Sequence, residues 1–146
     1  MTEALWQEHA RGAFIPEYCI VRRADCGGRY VDALILPDEP HRRASFTDYP
    51  TLKDRNVIVV QTKAARMGMY LMGQALFSAR LALARGAKSA RSILLCTAPD
   101  SVLLPLLKDF PEVEVWVYDE RSGKCRRAAR LEIHDEAARA GTRDAR

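Results

Sequence analysis

Three polar residues sit at the ends of two strand-like runs: Asp32 in "RYVDALIL", and Gln61 and Lys63 in "VIVVQTK". Period-two alternation puts Tyr30, Asp32, Leu34 and Leu36 on one face of the first run and Val31, Ala33 and Ile35 on the other. The same rule groups Val57, Val59, Gln61 and Lys63 in the second run. If the runs pair antiparallel with Leu36 opposite Val57, Asp32 falls opposite Gln61. A carboxylate, an amide and an ammonium then converge where a buried, β-branched strand turns polar. That end of the sheet is expected to hold a site that handles charge.

The elements that must position these residues are legible in outline. Thr2 to Arg11 has helical spacing, with Thr2 as the expected N-cap and Gly12 as terminator. "YCIVRRA" and "RYVDALIL" flank Cys26-Gly27-Gly28 and predict a hairpin. A long polar connection leads to Asn56 and the strand "VIVVQTK". The helix that follows, from about Met67 to Arg85, is apolar almost all round and is stopped by Gly86. It is expected to be buried on more than one side, with Met67, Met69 and Met72 as core filler. "RSILLCTA" and "VEVWVYD" read as strands around a short helix in "PDSVLLPLLKDF" that Pro105 interrupts. The order is α-β-β-β-α-β-α-β, an α/β fold with a mixed sheet flanked by helices. Residues 3–119 are expected to form one domain, and 120–146 a basic C-terminal extension, partly disordered, ending in "AARAGTRDAR".

Composition narrows the function classes. At 146 residues and 48% hydrophobic, the chain has the size of one domain with a substantial core. Its first residues lack the pattern of a signal peptide, and no apolar run approaches the roughly 18 residues of a spanning helix. A cytoplasmic protein without membrane contact is the expectation. The four cysteines are not expected to form disulfides, and the scattered His9, His41 and His134 give no zinc-ligand spacing. "CGGR" is no phosphate-binding loop. Trp6 and Trp116 read as packing residues. The net charge of +4 is modest, but Arg22-Arg23, Arg42-Arg43 and "GKCRRAAR", with Arg126 and Arg127, supply basic clusters that could meet phosphates.

The order of elements and the Asp32, Gln61-x-Lys63 pattern resemble the PD-(D/E)XK nuclease superfamily. Its α-β-β-β-α-β, restriction-endonuclease-like core carries an acid on the second strand and an acid-x-lysine triplet on the third. The resemblance covers about residues 3 to 118. It implies that Asp32, Gln61 and Lys63 are the catalytic set, with Gln61 in the second acid's place. Gln74, after "MYLMG", is similar to the helical glutamine of RecB-like members and implies a nucleic-acid contact, although Ser78 stands where those members usually have tyrosine. Some members add a glutamate from the first helix, which makes Glu8 a candidate ligand beside Asp32 and Gln61.

The activity so implied is Mg2+- or Mn2+-dependent hydrolysis of nucleic-acid phosphodiesters, DNA first, in DNA processing or repair. Asp32 would hold the metal, whose bound water is the nucleophile. Lys63 would orient that water or steady the developing charge. Gln61 can ligate but adds no charge, so the metal site should be weakened. The alternative is a catalytically inactive relative serving as a binding or oligomerisation module, with a homodimer left open. An unrelated α/β domain would carry the pattern by coincidence.

Overall fold

The run Val57-Ile58-Val59-Val60 lies inside β4 (Asn56–Arg66), the central strand of a seven-stranded sheet. The structure is a computed structural model and describes residues 1–45, 47 and 49–128. Before β4 come α1 (Thr2–His9), β1 (Ala13–Val21), β2 (Arg29–Leu36) and the two-residue β3 (Arg42–Arg43). After it come α2 (Met69–Ala84), β5 (Ser89–Ala98), a 3₁₀ turn over Leu104–Asp109, β6 (Val113–Asp119) and β7 (Lys124–Arg127). The sheet order is β3-β1-β2-β4-β5-β6-β7. β1, β2 and β4 are antiparallel neighbours, β4, β5 and β6 are parallel, and β7 returns antiparallel to β6. α2 makes the connection that two parallel neighbours require.

Alternation along the strands builds a core on each side. Leu5 and Trp6 of α1 pack with Phe14, Ala33, Ile35, Ile58, Val60, Ile93 and Leu95. On the other side, Ala79 and Ala82 of α2 pack with Leu34, Leu36, Val57 and Val59. Farther along that side, Leu71 and Ala75 meet Leu94, Cys96, Val113 and Val117. Gly12, at φ 103, lets the chain pass the end of β2, where a Cβ would collide with the Leu36 carbonyl.

Several expectations need correction. α2 is not buried on more than one side: Met69 is 77% exposed, Tyr70 75% and Phe77 67%. It packs through Leu71, Ala75, Ser78, Ala79 and Ala82, and no element among the described residues covers its outer face. Met67 is buried and Met72 partly so, but Met69 is not core filler. Thr2 lies within α1, capped at Met1 without a side-chain hydrogen bond. The helix expected around Pro105 is a 3₁₀ turn, since proline removes a helical donor.

The sheet also gains β3, parallel to β1, and β7, which lies in the segment expected to be an extension beyond 119. Of "GKCRRAAR", residues 124–127 are strand; the expected tail "AARAGTRDAR" lies outside the described residues. No helix among the described residues is long and apolar enough to cross a membrane.

Candidate functional site at the β2–β4 strand end

β2 and β4 pair through Ala33↔Val60, Leu34↔Val59 and Ile35↔Ile58, the offset that sets Leu36 against Val57 and Asp32 against Gln61. The ladder stops before that last pair. On the other flank of β2, the β1 register runs to Pro16↔Ala33 and resumes at Tyr18↔Val31, passing over Glu17 and Asp32. Glu17 takes the left-handed φ of 50°, a conformation costing a non-glycine residue about 1–3 kcal/mol.

The irregularity breaks the expected alternation. Val31 packs with Leu34 and Leu36 instead of sharing the face of Ala33 and Ile35. Asp32 therefore sits at the kink itself, not on a regular strand face.

From the kink the Asp32 carboxylate spans to β4. Its Oδ2 accepts the Thr62 backbone N–H at 2.6 Å and the Thr62 hydroxyl at 3.2 Å. Gln61 is 4% exposed, and its Nε2 donates to Ser78 Oγ on α2 at 2.9 Å and to the Tyr30 carbonyl at 3.3 Å. A side-chain amide thus ties the splayed end of β2 to β4 and α2. Lys63 pairs in register with Cys96, whose side chain belongs to the α2-side core, so the lysine stem leaves on that side. Lys63 is exposed and its ammonium has no hydrogen bond or ion pair among the described residues.

The remaining candidates are distributed differently. Glu8 lies on the α1 side, where its Oε2 accepts the Cys125 N–H of β7 at 3.3 Å and lies 3.3 Å from His9 Nε2. β7 is three strands beyond β4, about 14 Å at the usual strand spacing, so Glu8 does not join Asp32 and Gln61. The two arginines face opposite ways. Arg126 pairs with Val117 of the α2-side core, whereas Arg127 pairs with Trp116 and lies 3.7 Å from Glu114.

Gln74 does approach the site. It lines, with Gln61, Ser78, Arg29 and Tyr30, a cavity of about 490 Å³ between α2 and the end of β2. Met69, Tyr70, Gly73, Phe77 and Leu81 complete its walls. These exposed rings went unrecognised in the sequence because they lie in an all-apolar helix. The usable signal was their spacing: Tyr70, Gly73, Gln74 and Phe77 form one helical stripe.

As a hard-cation site this end offers few donors. Asp32 Oδ1 makes no hydrogen bond among the described residues, and the Gln61 amide oxygen accepts none. The Thr62 side chain that Asp32 also meets alternates with Gln61 and Lys63 along β4, and Asp32 does not line the cavity that holds the Gln61 amide, so the two oxygens are not gathered on one face. Among the described residues no group of three or more His, Cys, Asp or Glu could hold a metal ion. No protein-family model matches the chain, and no curated protein or solved structure matches it either.

Proposed function

We propose that this chain is a divalent-metal-dependent, nuclease-like protein that hydrolyses phosphodiester bonds of nucleic acid, DNA first, on a restriction-endonuclease-like core. The order α1-β1-β2-β4-α2-β5 supports the fold part of this reading, with antiparallel β1, β2 and β4 followed by parallel β5 and with β3 as a two-residue insertion. The observation that carries the functional part is the Asp32 carboxylate held against β4 at Thr62, the residue between Gln61 and Lys63 in sequence, by the Thr62 N–H. That bond fixes the direction of the acid from backbone, while its second oxygen stays open.

Mg2+ or Mn2+, when bound, supplies an ionised water and neutralises phosphate charge. Asp32 and Gln61 are the residues that would hold it. Lys63, an exposed ammonium without a partner among the described residues, binds a phosphate oxygen and stabilises negative charge that develops there. Thr62, through its N–H and hydroxyl, keeps the Asp32 carboxylate from swinging into solvent.

The neutral Gln61 and the absence of a three-donor cluster among the described residues favour one second reading: a non-catalytic module that binds nucleic acid at the same strand end. A cleavage screen over duplex, single-stranded, branched and RNA substrates with Mn2+, with Asp32→Ala as control, separates the two. Cleavage that Asp32→Ala abolishes supports the enzyme; binding without cleavage of any substrate removes it. Calorimetric titration of Mg2+ sharpens the result. Gln61→Glu adds an anionic oxygen and should bind the ion more tightly than the parent, a gain that disappears with Asp32→Ala.

A further inference from the structure

We propose that the groove along α2 is a platform for unpaired nucleobases, so that the substrate class of the strand-end site is single-stranded nucleic acid; this rests on the nucleic-acid reading above. α2 inverts the ordinary arrangement of an amphipathic helix. Besides Leu71, the residues it turns to the sheet are the small Ala75, Ser78, Ala79 and Ala82, while the large Tyr70 and Phe77 stand in solvent at 75% and 67% exposure. Both rings line the cavity that holds the Gln61 amide. Seven residues of helix separate them by about 10 Å. That is about three intervals of the 3.4 Å stacking repeat, enough for two bases between two rings.

Gly73 lies between the rings, and a Cβ added there would meet nothing within 4 Å. Packing therefore does not require this glycine, which weakens a helix interior relative to alanine. It keeps the floor of the groove open between Tyr70 and Phe77. Beside it, the Gln74 amide makes no hydrogen bond among the described residues and supplies a donor and an acceptor to a base edge.

Charge favours a nucleic acid over other occupants. None of the residues lining the cavity is acidic, and Arg29 is basic. Gln61, in its floor, is two residues from the partnerless Lys63. A stacked strand would thus run from rings to phosphate contacts without meeting a carboxylate before Asp32. A duplex cannot use the rings without unpairing its bases. A second copy of the chain packed on this face would cover the Gln74 amide without a partner of known position.

The test is fluorescence anisotropy in EDTA with a labelled 15-nucleotide dT oligomer, a single-stranded RNA of the same length and a DNA duplex, alongside sedimentation to read the oligomeric state. The parent should bind a single strand more tightly than duplex. Tyr70→Ala and Phe77→Ala should each weaken that binding about 5- to 150-fold, the range of one lost base stack, with unchanged melting temperature because both side chains are exposed. Gly73→Leu should weaken it similarly by filling the floor, while Val102→Ala, at an exposed residue outside the groove, serves as the folded control.

Equal affinity for duplex, or parental affinity in both ring variants, overturns the platform. So does a dimer that Tyr70→Ala dissociates in a protein that binds no oligomer, since a second copy then covers the groove. Because binding is read without a divalent ion, ring-dependent binding with no cleavage anywhere defeats only the hydrolytic reading. Asp32-dependent cleavage at parental rate in Tyr70→Ala and Phe77→Ala defeats only the platform.

Discussion

The two ends of the central sheet treat their polar residues in opposite ways. Around β7 the acidic side chains are engaged in holding the sheet together. Glu8 accepts the Cys125 N–H, Glu114 accepts from Arg91 and from the Trp116 indole, and Asp119 accepts from the Arg121 N–H and the Ser122 hydroxyl. At the β2–β4 end, Lys63 and Gln74 engage nothing among the described residues, the ladder stops early and Glu17 is held in a strained conformation. Strained backbone residues cluster at functional sites, and it is beside one that the proposed site places its partnerless groups. Groups of the same types at β7 are explained by the fold alone.

The largest effect should come from Asp32. In Asp32→Ala, cleavage should fall by at least about 10²-fold, the scale of removing one pre-organised electrostatic group. Its loss should also cost about 0.5–1.5 kcal/mol of stability, because the Thr62 N–H exchanges its carboxylate acceptor for water. Parental turnover would erase the difference between the two ends. Lys63→Met should lower turnover by about 10²–10³-fold yet leave stability within about 0.5 kcal/mol, as for a surface residue without partners. Steady-state kinetics and denaturant unfolding on one preparation check both values.

Glu8→Ala should do the reverse. It removes the acceptor of the Cys125 N–H and should cost about 1 kcal/mol with turnover intact. A Glu8 variant that is stable but inactive would return this residue to the site and break the contrast.

The smallest effect is electrostatic and belongs to the β6–β7 turn. The Ser122 hydroxyl and the Arg121 N–H hold the Asp119 carboxyl below its ordinary value of 3.8. A lowered folded pKa contributes stability that is complete above the unfolded value and is lost as pH falls through the folded one. The melting-temperature difference between parent and Asp119→Asn should therefore be constant near neutral pH and shrink below about pH 3.8. A difference that grows in acid would show that the carboxylate does not cap this turn.

Much of the sheet could be read from local pattern. The β-branched run of β4 announced itself, and the polarity change at Gln61 marked its end. The offset that sets Asp32 against Gln61 followed from matching strand ends. What pattern could not supply was non-local. Glu17 at positive φ has no sequence signature, because glutamate rarely adopts that conformation, yet it turns Val31 and Asp32 out of alternation. β7 is three basic residues and a buried cysteine, and its strand character comes from pairing with β6. Glu8 became a candidate through the resemblance and its position on the first helix, and neither says which strand a helix face meets. The rings of α2 were hidden by composition: an all-apolar helix is equally a buried one and one with an uncovered face.

The two margins of the sheet have a consequence for how copies of this protein meet. β3 is two residues long and both are arginine; β7 is four and includes Lys124, Arg126 and Arg127. Short, cationic margins are poor templates for β-bridging between molecules, since like charges approach while few backbone groups are offered. Runaway ribbon growth is thereby discouraged even in a concentrated solution. Self-association, where it occurs, is steered to the broad surfaces of the molecule, and added salt, which screens the arginines, is the condition that relaxes this protection.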